Sequence, residues 1–237
     1  MPLTRRRGFW WIAGAAVAVV LAAAVAATAI AFPSVAATTC PGCYGLERIA
    51  PGVYAEPGLA PAERRRVSEV LEQADERIRA FFGGRVSAPD VLVCLTDACY
   101  SRIGGGGERG IAVLNRSVML SPRGVDPVIA SHELTHVELH ARLGGADVPQ
   151  WFDEGLGVLV SDDPRYLTPT GDRCLRDPRQ ALPDTLDGWL RAASADPLTY
   201  ADAACQVSRW VTANGGEQAV PGLIARLASG QPFPAAR

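Results

Sequence analysis

GIAVLNRSVMLSPRGVDPVIASHELTHVELHARLGG, residues 110–145, holds the reading that decides the fold. Two short apolar runs, Gly110 to Leu114 and Ser117 to Leu120, meet near Asn115-Arg116 and predict a pair of strands. Asp126-Pro127 then supplies a capping oxygen and a first-turn proline, so a helix starts there. It runs to Leu143, where Gly144-Gly145 stops it. Pro149 precedes a second helix from about Gln150 to Val160. Upstream, Pro61 opens a helix whose apolar positions Val67, Val70, Leu71, Ala74, Ile78 and Phe81 keep helical spacing as far as Gly83-Gly84. Val91 to Leu95 reads as a buried strand and Val53-Tyr54-Ala55 as an edge strand. Downstream, a Pro/Asp-rich loop from Asp162 to Pro183 leads to helices near Leu186 to Ala193, Tyr200 to Ala213 and Glu217 to Ala228. Strands cluster early and helices late. The expected class is therefore α+β, a small mixed or antiparallel sheet followed by a histidine-bearing helix, a glutamate-bearing helix and a helical C-terminal part.

Composition sets the surroundings. A chain of 237 residues, 48% hydrophobic and 20% charged, is long enough for one substantial domain and one further segment. Its formal charge of -2 and lack of a basic stripe give no reason to expect nucleic acid as a partner. Arg5, Arg6 and Arg7 precede a stretch from Phe9 to Phe32 without one charged residue, long enough for a bilayer, which needs ~20 apolar residues. We therefore expect residues 1–33 to be a cytoplasmic stub and transmembrane signal anchor, residues 34–52 a juxtamembrane linker, and residues 53–237 an extracytoplasmic domain. A cleaved signal peptide is the competing reading, since Ala29-Ile30-Ala31 resembles a small-residue cleavage site. An exported domain would oxidise its six cysteines. Many connectivities are open. Cys94 with Cys99 and Cys174 with Cys205 suit the local pattern, leaving Cys40 with Cys43 as a structural loop rather than a redox motif.

All three histidines of the chain fall in one predicted helix, at His132, His136 and His140. Residues four apart on a helix differ by ~40° around the axis and ~6 Å along it, so His132 and His136 can aim two imidazoles at one ion. Glu133 is displaced round the helix, where it can act as a general base instead of ligating. A catalytic zinc site wants a third protein ligand, and Glu154, 18 positions after His136, is the candidate. It lies in Trp151-Phe152-Asp153-Glu154-Gly155-Leu156-Gly157. The two glycines are poor helix formers, costing ~1 kcal/mol each relative to Ala, and make sense if helices approach closely there. His140 lies ~12 Å along the axis from His132, too far to share an ion with ~2 Å bonds, and reads as a polar residue on the helix face.

His132-Glu133-Leu134-Thr135-His136 followed by Trp151-Phe152-Asp153-Glu154-Gly155-Leu156 resembles the gluzincin metallopeptidases, the thermolysin-like clan, and in particular its small single-domain members. The resemblance covers about Gly110 to Val160. It implies a thermolysin-like catalytic core, one zinc ion on His132, His136 and Glu154, Glu133 as the base, and a peptide or protein substrate lying along an edge strand, either Ile111 to Asn115 or Val118 to Ser121. A later Tyr or His stabilises the oxyanion in several members. Tyr200 is the best-placed counterpart here, or else a helix-packing tyrosine. Where thermolysin has an Asp four residues past its ligating Glu, this chain has Val158, so Asp153, Asp162, Asp202 or a backbone carbonyl must orient a zinc histidine. Gly157 stands where the family more often has Ala, read as a minor change. The aminopeptidase G-x-M-E-N segment is missing. The function expected is thus a membrane-tethered zinc peptidase outside the cytoplasm. The alternatives are a catalytically silent zinc-binding domain with a partner groove and a zinc hydrolase of a non-peptide amide or ester, with Gly104 to Gly107 and Asp162 to Pro183 shaping the pocket and Trp189 and Trp210 in the core or lining it.

Overall fold

The computed structural model describes residues 20, 23, 26, 27, 29–178 and 181–234. Most of the expected membrane span lies outside these residues, and among the described residues no helix is long and apolar enough to cross a membrane. The strands are β1 (Glu47–Ala50), β2 (Val53–Ala55), β3 (Asp90–Val93), β4 (Gly110–Val113) and β5 (Ser117–Leu120). The helices are α1 (Pro33–Thr39), α2 (Pro61–Phe82), α3 (Asp97–Arg102), α4 (Pro127–Leu143), α5 (Gln150–Ser161), α6 (Leu186–Ala195), α7 (Thr199–Ala213) and α8 (Ala219–Ala228). One five-stranded mixed sheet has the order β1-β2-β3-β5-β4, with β2, β3 and β5 parallel and both outer strands antiparallel to their neighbours. The class is mixed α and β, as the pattern of runs suggested.

Alternation along the central strands explains why they read as unbroken apolar runs. Val91 and Val93 of β3 and Val118 and Leu120 of β5 face one side, where they join Val67, Ala74 and Ile78 of α2 and Ile129, Leu134 and Val137 of α4. Leu92 and Met119 face the other, against Ala37 of α1, Leu46, and Cys99, Tyr100 and Ile103 around α3. A sheet covered on both faces has no polar side to show. The β4–β5 turn suits Asn115 and places Leu114 in a backbone region that bulky side chains disfavour. Leu114 and Asn115 both take positive φ, 50° and 51°, the geometry of a tight hairpin whose twist matches its strands.

Two expectations are corrected. Val53-Tyr54-Ala55 is an interior strand, because Glu47–Ala50 pairs with it on the outside. The stretch 34–52 is built into the domain, not a bare linker, since it supplies β1 and the fully buried Ala37. Prolines and glycines hid a strand too short to show a period. All six cysteines are paired, as Cys40–Cys43, Cys94–Cys99 and Cys174–Cys205, in the expected connectivity.

Helix ends follow their sequence signals. The Asp126 carboxylate accepts from Val128 N and Ile129 N at the start of α4, and Gly144 ends it with φ 60°. Helix α5 lacks a capping side chain; its first N–H groups donate instead to the carbonyls of Pro183 and Asp184. Helix α5 also crosses α7 so closely that a Cβ on Gly155 would lie 2.6 Å from the Ala203 carbonyl oxygen. Replacing a helical glycine normally gains ~1 kcal/mol. Here the obstacle is backbone, which cannot step aside, so Gly155→Ala should lower unfolding free energy in urea titration by about 1–3 kcal/mol; an unchanged or raised value contradicts this packing.

Candidate metal centre

Helices α4 and α5 pack side by side and bring the sequence-selected donors together. His132 and His136 stand one turn apart with ring centroids 4.8 Å apart and planes at 76°. Glu154 faces them from α5, its Oε2 3.4 Å from His132 Nε2 and 3.8 Å from His136 Nε2. Ligand atoms around a tetrahedral zinc with ~2.0–2.1 Å bonds lie ~3.4 Å apart. Glu154 therefore already stands at about that spacing from both histidines, and all three donors lie within 4.8 Å of one another. Gln150 Nε2 donates to the other Glu154 oxygen at 3.1 Å, which steadies the carboxylate. The group Asp172, Cys174 and Cys205 also clusters, but both its sulfurs are committed to a disulfide.

The acceptor that orients a histidine is Asp153. This buried carboxylate receives His136 Nδ1 on Oδ1 at 2.6 Å and His140 Nε2 on Oδ2 at 2.7 Å. Of the other candidates, Asp202 binds Arg176 and Asp162 binds Arg173. Val158 is wholly buried in the core. With Nδ1 engaged by Asp153, Nε2 is the His136 nitrogen turned toward Glu154, the one that would give up its proton to a metal ion. Burial alone would raise the Asp153 carboxyl, but the His136 charge and both imidazole bonds hold it well below the usual carboxylate range. Burial likewise works against a charged His136, yet Asp153, Glu154 and Glu133 push it up to about 10. A pocket that holds a proton so firmly favours a cation, and a metal ion bound there would displace that proton.

Gly157 is more than a minor departure. A Cβ at this position would lie 2.8 Å from His132 Cε1 and 2.9 Å from its Nδ1, so the ring occupies the space an alanine methyl would take. Gly110 of β4 does the same for Glu133, since its Cβ would lie 2.7 Å from Glu133 Cγ. Glu133 is wedged between α4 and β4. Burial raises the affinity of its carboxyl for a proton, against the pull of His132, His136 and a backbone hydrogen bond from Ala112.

Above these residues runs a cleft of about 530 Å³. Glu108, Gly110, Ile111 and Ala112 form one wall; Val148, Leu186, Leu190 and Tyr200 contribute to the rest. Tyr200 stands beside His132, ring centroids 6.2 Å apart, and stacks on Tyr166 at 5.2 Å. Burial first, then Glu154, pushes its hydroxyl above the ordinary range, so it stays protonated and able to donate. Among the described residues, none of the loop from Asp162 to Pro183 lines the cleft, and next to the Gly104 to Gly107 loop it is Glu108 that reaches it. Trp189 is buried in the core and Trp210 packs on it. Of the two strands considered for an extended ligand, Val118 to Ser121 is excluded because β5 lies between β3 and β4; only β4 presents a free edge.

The residues missed from sequence are the cleft wall on α6 and the part played by His140. The signal for His140 was its helical offset of four from His136, the same offset that singled out the first pair. Gly157→Ala should weaken zinc binding about tenfold in a chelator competition while leaving the helical circular dichroism intact; wild-type affinity would contradict the crowding of His132. Neither family models, nor curated proteins, nor solved structures matched this chain.

Proposed function

We propose that the protein is a zinc-dependent peptidase. The observation that carries the proposal is the convergence of His132, His136 and Glu154 at ligand spacing with Glu133 beside them in the same cleft. A site that only stabilises a fold needs a closed set of four ligands, whereas three protein ligands and an adjoining cleft suit catalysis. The gluzincin resemblance of the two helices points the same way.

Zinc bound by the triad supplies Lewis acidity to the scissile carbonyl and makes water nucleophilic near neutral pH. Glu133 accepts the proton of the attacking water and later returns it to the leaving amine. Its raised proton affinity matches both halves of that task. The Tyr200 hydroxyl donates to the oxyanion that develops on the carbonyl. An extended peptide suits the free edge of β4, and Leu186 and Leu190, each 55% exposed, offer apolar contact for its side chains.

The proposal includes a place of action. The apolar stretch Phe9 to Phe32 behind three arginines supports a membrane anchor with the domain outside the cytoplasm, and three disulfides suit an oxidising compartment. Because α1 joins the second core directly after that stretch, the domain would be held close to the membrane surface.

Full-length protein should cleave peptides, and Glu133→Gln should lose about 10²–10⁴-fold in rate while keeping its zinc. Tyr200→Phe should lower kcat about 10²-fold with little change in KM. Wild-type protein that holds zinc yet cuts no peptide in a diverse library would overturn the peptidase assignment and favour a non-peptide substrate or a silent domain.

A further inference from the structure

We infer that His140 is a positioning residue for the metal centre, acting through Asp153 on His136. The inference rests on the reading of His132, His136 and Glu154 as a zinc site. Its basis is a shared carboxylate: Asp153 spends one oxygen on His136 Nδ1 at 2.6 Å and the other on His140 Nε2 at 2.7 Å. A carboxylate has no proton of its own to give, so both imidazoles must donate and both hydrogen positions are fixed.

The geometry makes this more than a surface contact. Asp153 sits at the start of α5 next to the ligand Glu154, and His136 and His140 stand one turn apart on α4. A single carboxylate thus ties the two helices together at the point where their donors meet. Asp153 is buried, and no hydrogen bond to it other than those from His136 and His140 is found among the described residues. Removing His140 leaves Oδ2 without a donor. The carboxylate is then no longer fixed about its Cβ–Cγ bond, and His136 loses the rigid acceptor that holds its Nδ1–H in place. His140 itself stands outside the ligand group: its Nε2 is engaged by Asp153, and the donor atoms within 4.8 Å of one another are those of His132, His136 and Glu154.

Full-length wild type, His140→Ala, His140→Gln and Asp153→Asn are compared for zinc affinity by chelator competition and for thermal unfolding of the zinc-free form. His140→Ala should weaken zinc binding tenfold or more, while the zinc-free form still unfolds cooperatively, at a melting temperature lowered by the buried Oδ2 left without a donor. His140→Gln, whose side-chain amide can place a donor near the position of Nε2, should recover most of that loss. In the Asp153→Asn background, His140→Ala should add little, as expected for residues acting through one another. His140→Ala with wild-type affinity, or equal weakening in the Gln variant, overturns the inference while leaving the zinc site standing. Wild type without zinc affinity removes the site and the inference together.

Discussion

Helix α5 is the constraint on which the rest depends. It is buried along nearly its whole length from Trp151 to Ser161, with Glu154 its main partly exposed side chain. A helix enclosed on all sides must satisfy every neighbour at once. Gly155 lets α7 approach on one side, and Gly157 admits the His132 ring from α4 on another. Phe152 sits in an aromatic group with Trp151, Trp210 and Phe233, and Leu156 and Val158 fill the core. The position of Glu154 is thereby set by apolar packing before any metal chemistry is considered. That is how a binding constellation becomes rigid enough to be selective.

Helix α4 is held against this frame by two buried carboxylates on different sides. Asp153 holds it from α5 through His136 and His140. Glu138, fully buried, receives Val86 N at 2.9 Å, Ser87 N at 3.0 Å, Ser87 Oγ at 2.6 Å and Arg142 Nε at 2.7 Å, which ties α4 to the segment leading into β3. Burial would raise the Glu138 carboxyl, but these donors hold it below its ordinary value. A buried carboxylate with four donors is satisfied; one with fewer would be a liability. The two histidines thus project from a helix fixed on both sides.

Much of this was legible in the sequence because the signals were local. Asp126-Pro127 and Gly144-Gly145 bracket α4 to the residue, and the helical offsets of His132, His136 and Glu133 follow from 3.6 residues per turn. Of the disulfides, short separation pointed to Cys94–Cys99, whereas Cys174–Cys205 across 31 residues and the remaining Cys40–Cys43 were one choice among many connectivities. What failed to show was tertiary. Sheet order made β2 interior and β5 unavailable as an edge, and no property of Val53 to Ala55 or Val118 to Ser121 reports their neighbours. Residues 33–50 looked like a linker because their short elements carry prolines and glycines, while their worth lies in what Ala37 and Leu46 cover. The choice of Asp153 over Asp162 and Asp202 needed the crossing of α4 and α5. So did the weight of Gly157, whose missing methyl matters only once the His132 ring is known to lie there.

The central claim is that one zinc ion joins these two helices, and X-ray absorption at the zinc edge on full-length protein tests it most directly. The account predicts one zinc per chain with two imidazole nitrogens at ~2.0–2.1 Å, a carboxylate oxygen at ~2.0–2.2 Å, a further light-atom ligand and no sulfur. The carboxylate contribution should vanish in Glu154→Ala. A spectrum with sulfur ligation, one unaffected by loss of Glu154, or protein that takes up no zinc would contradict it.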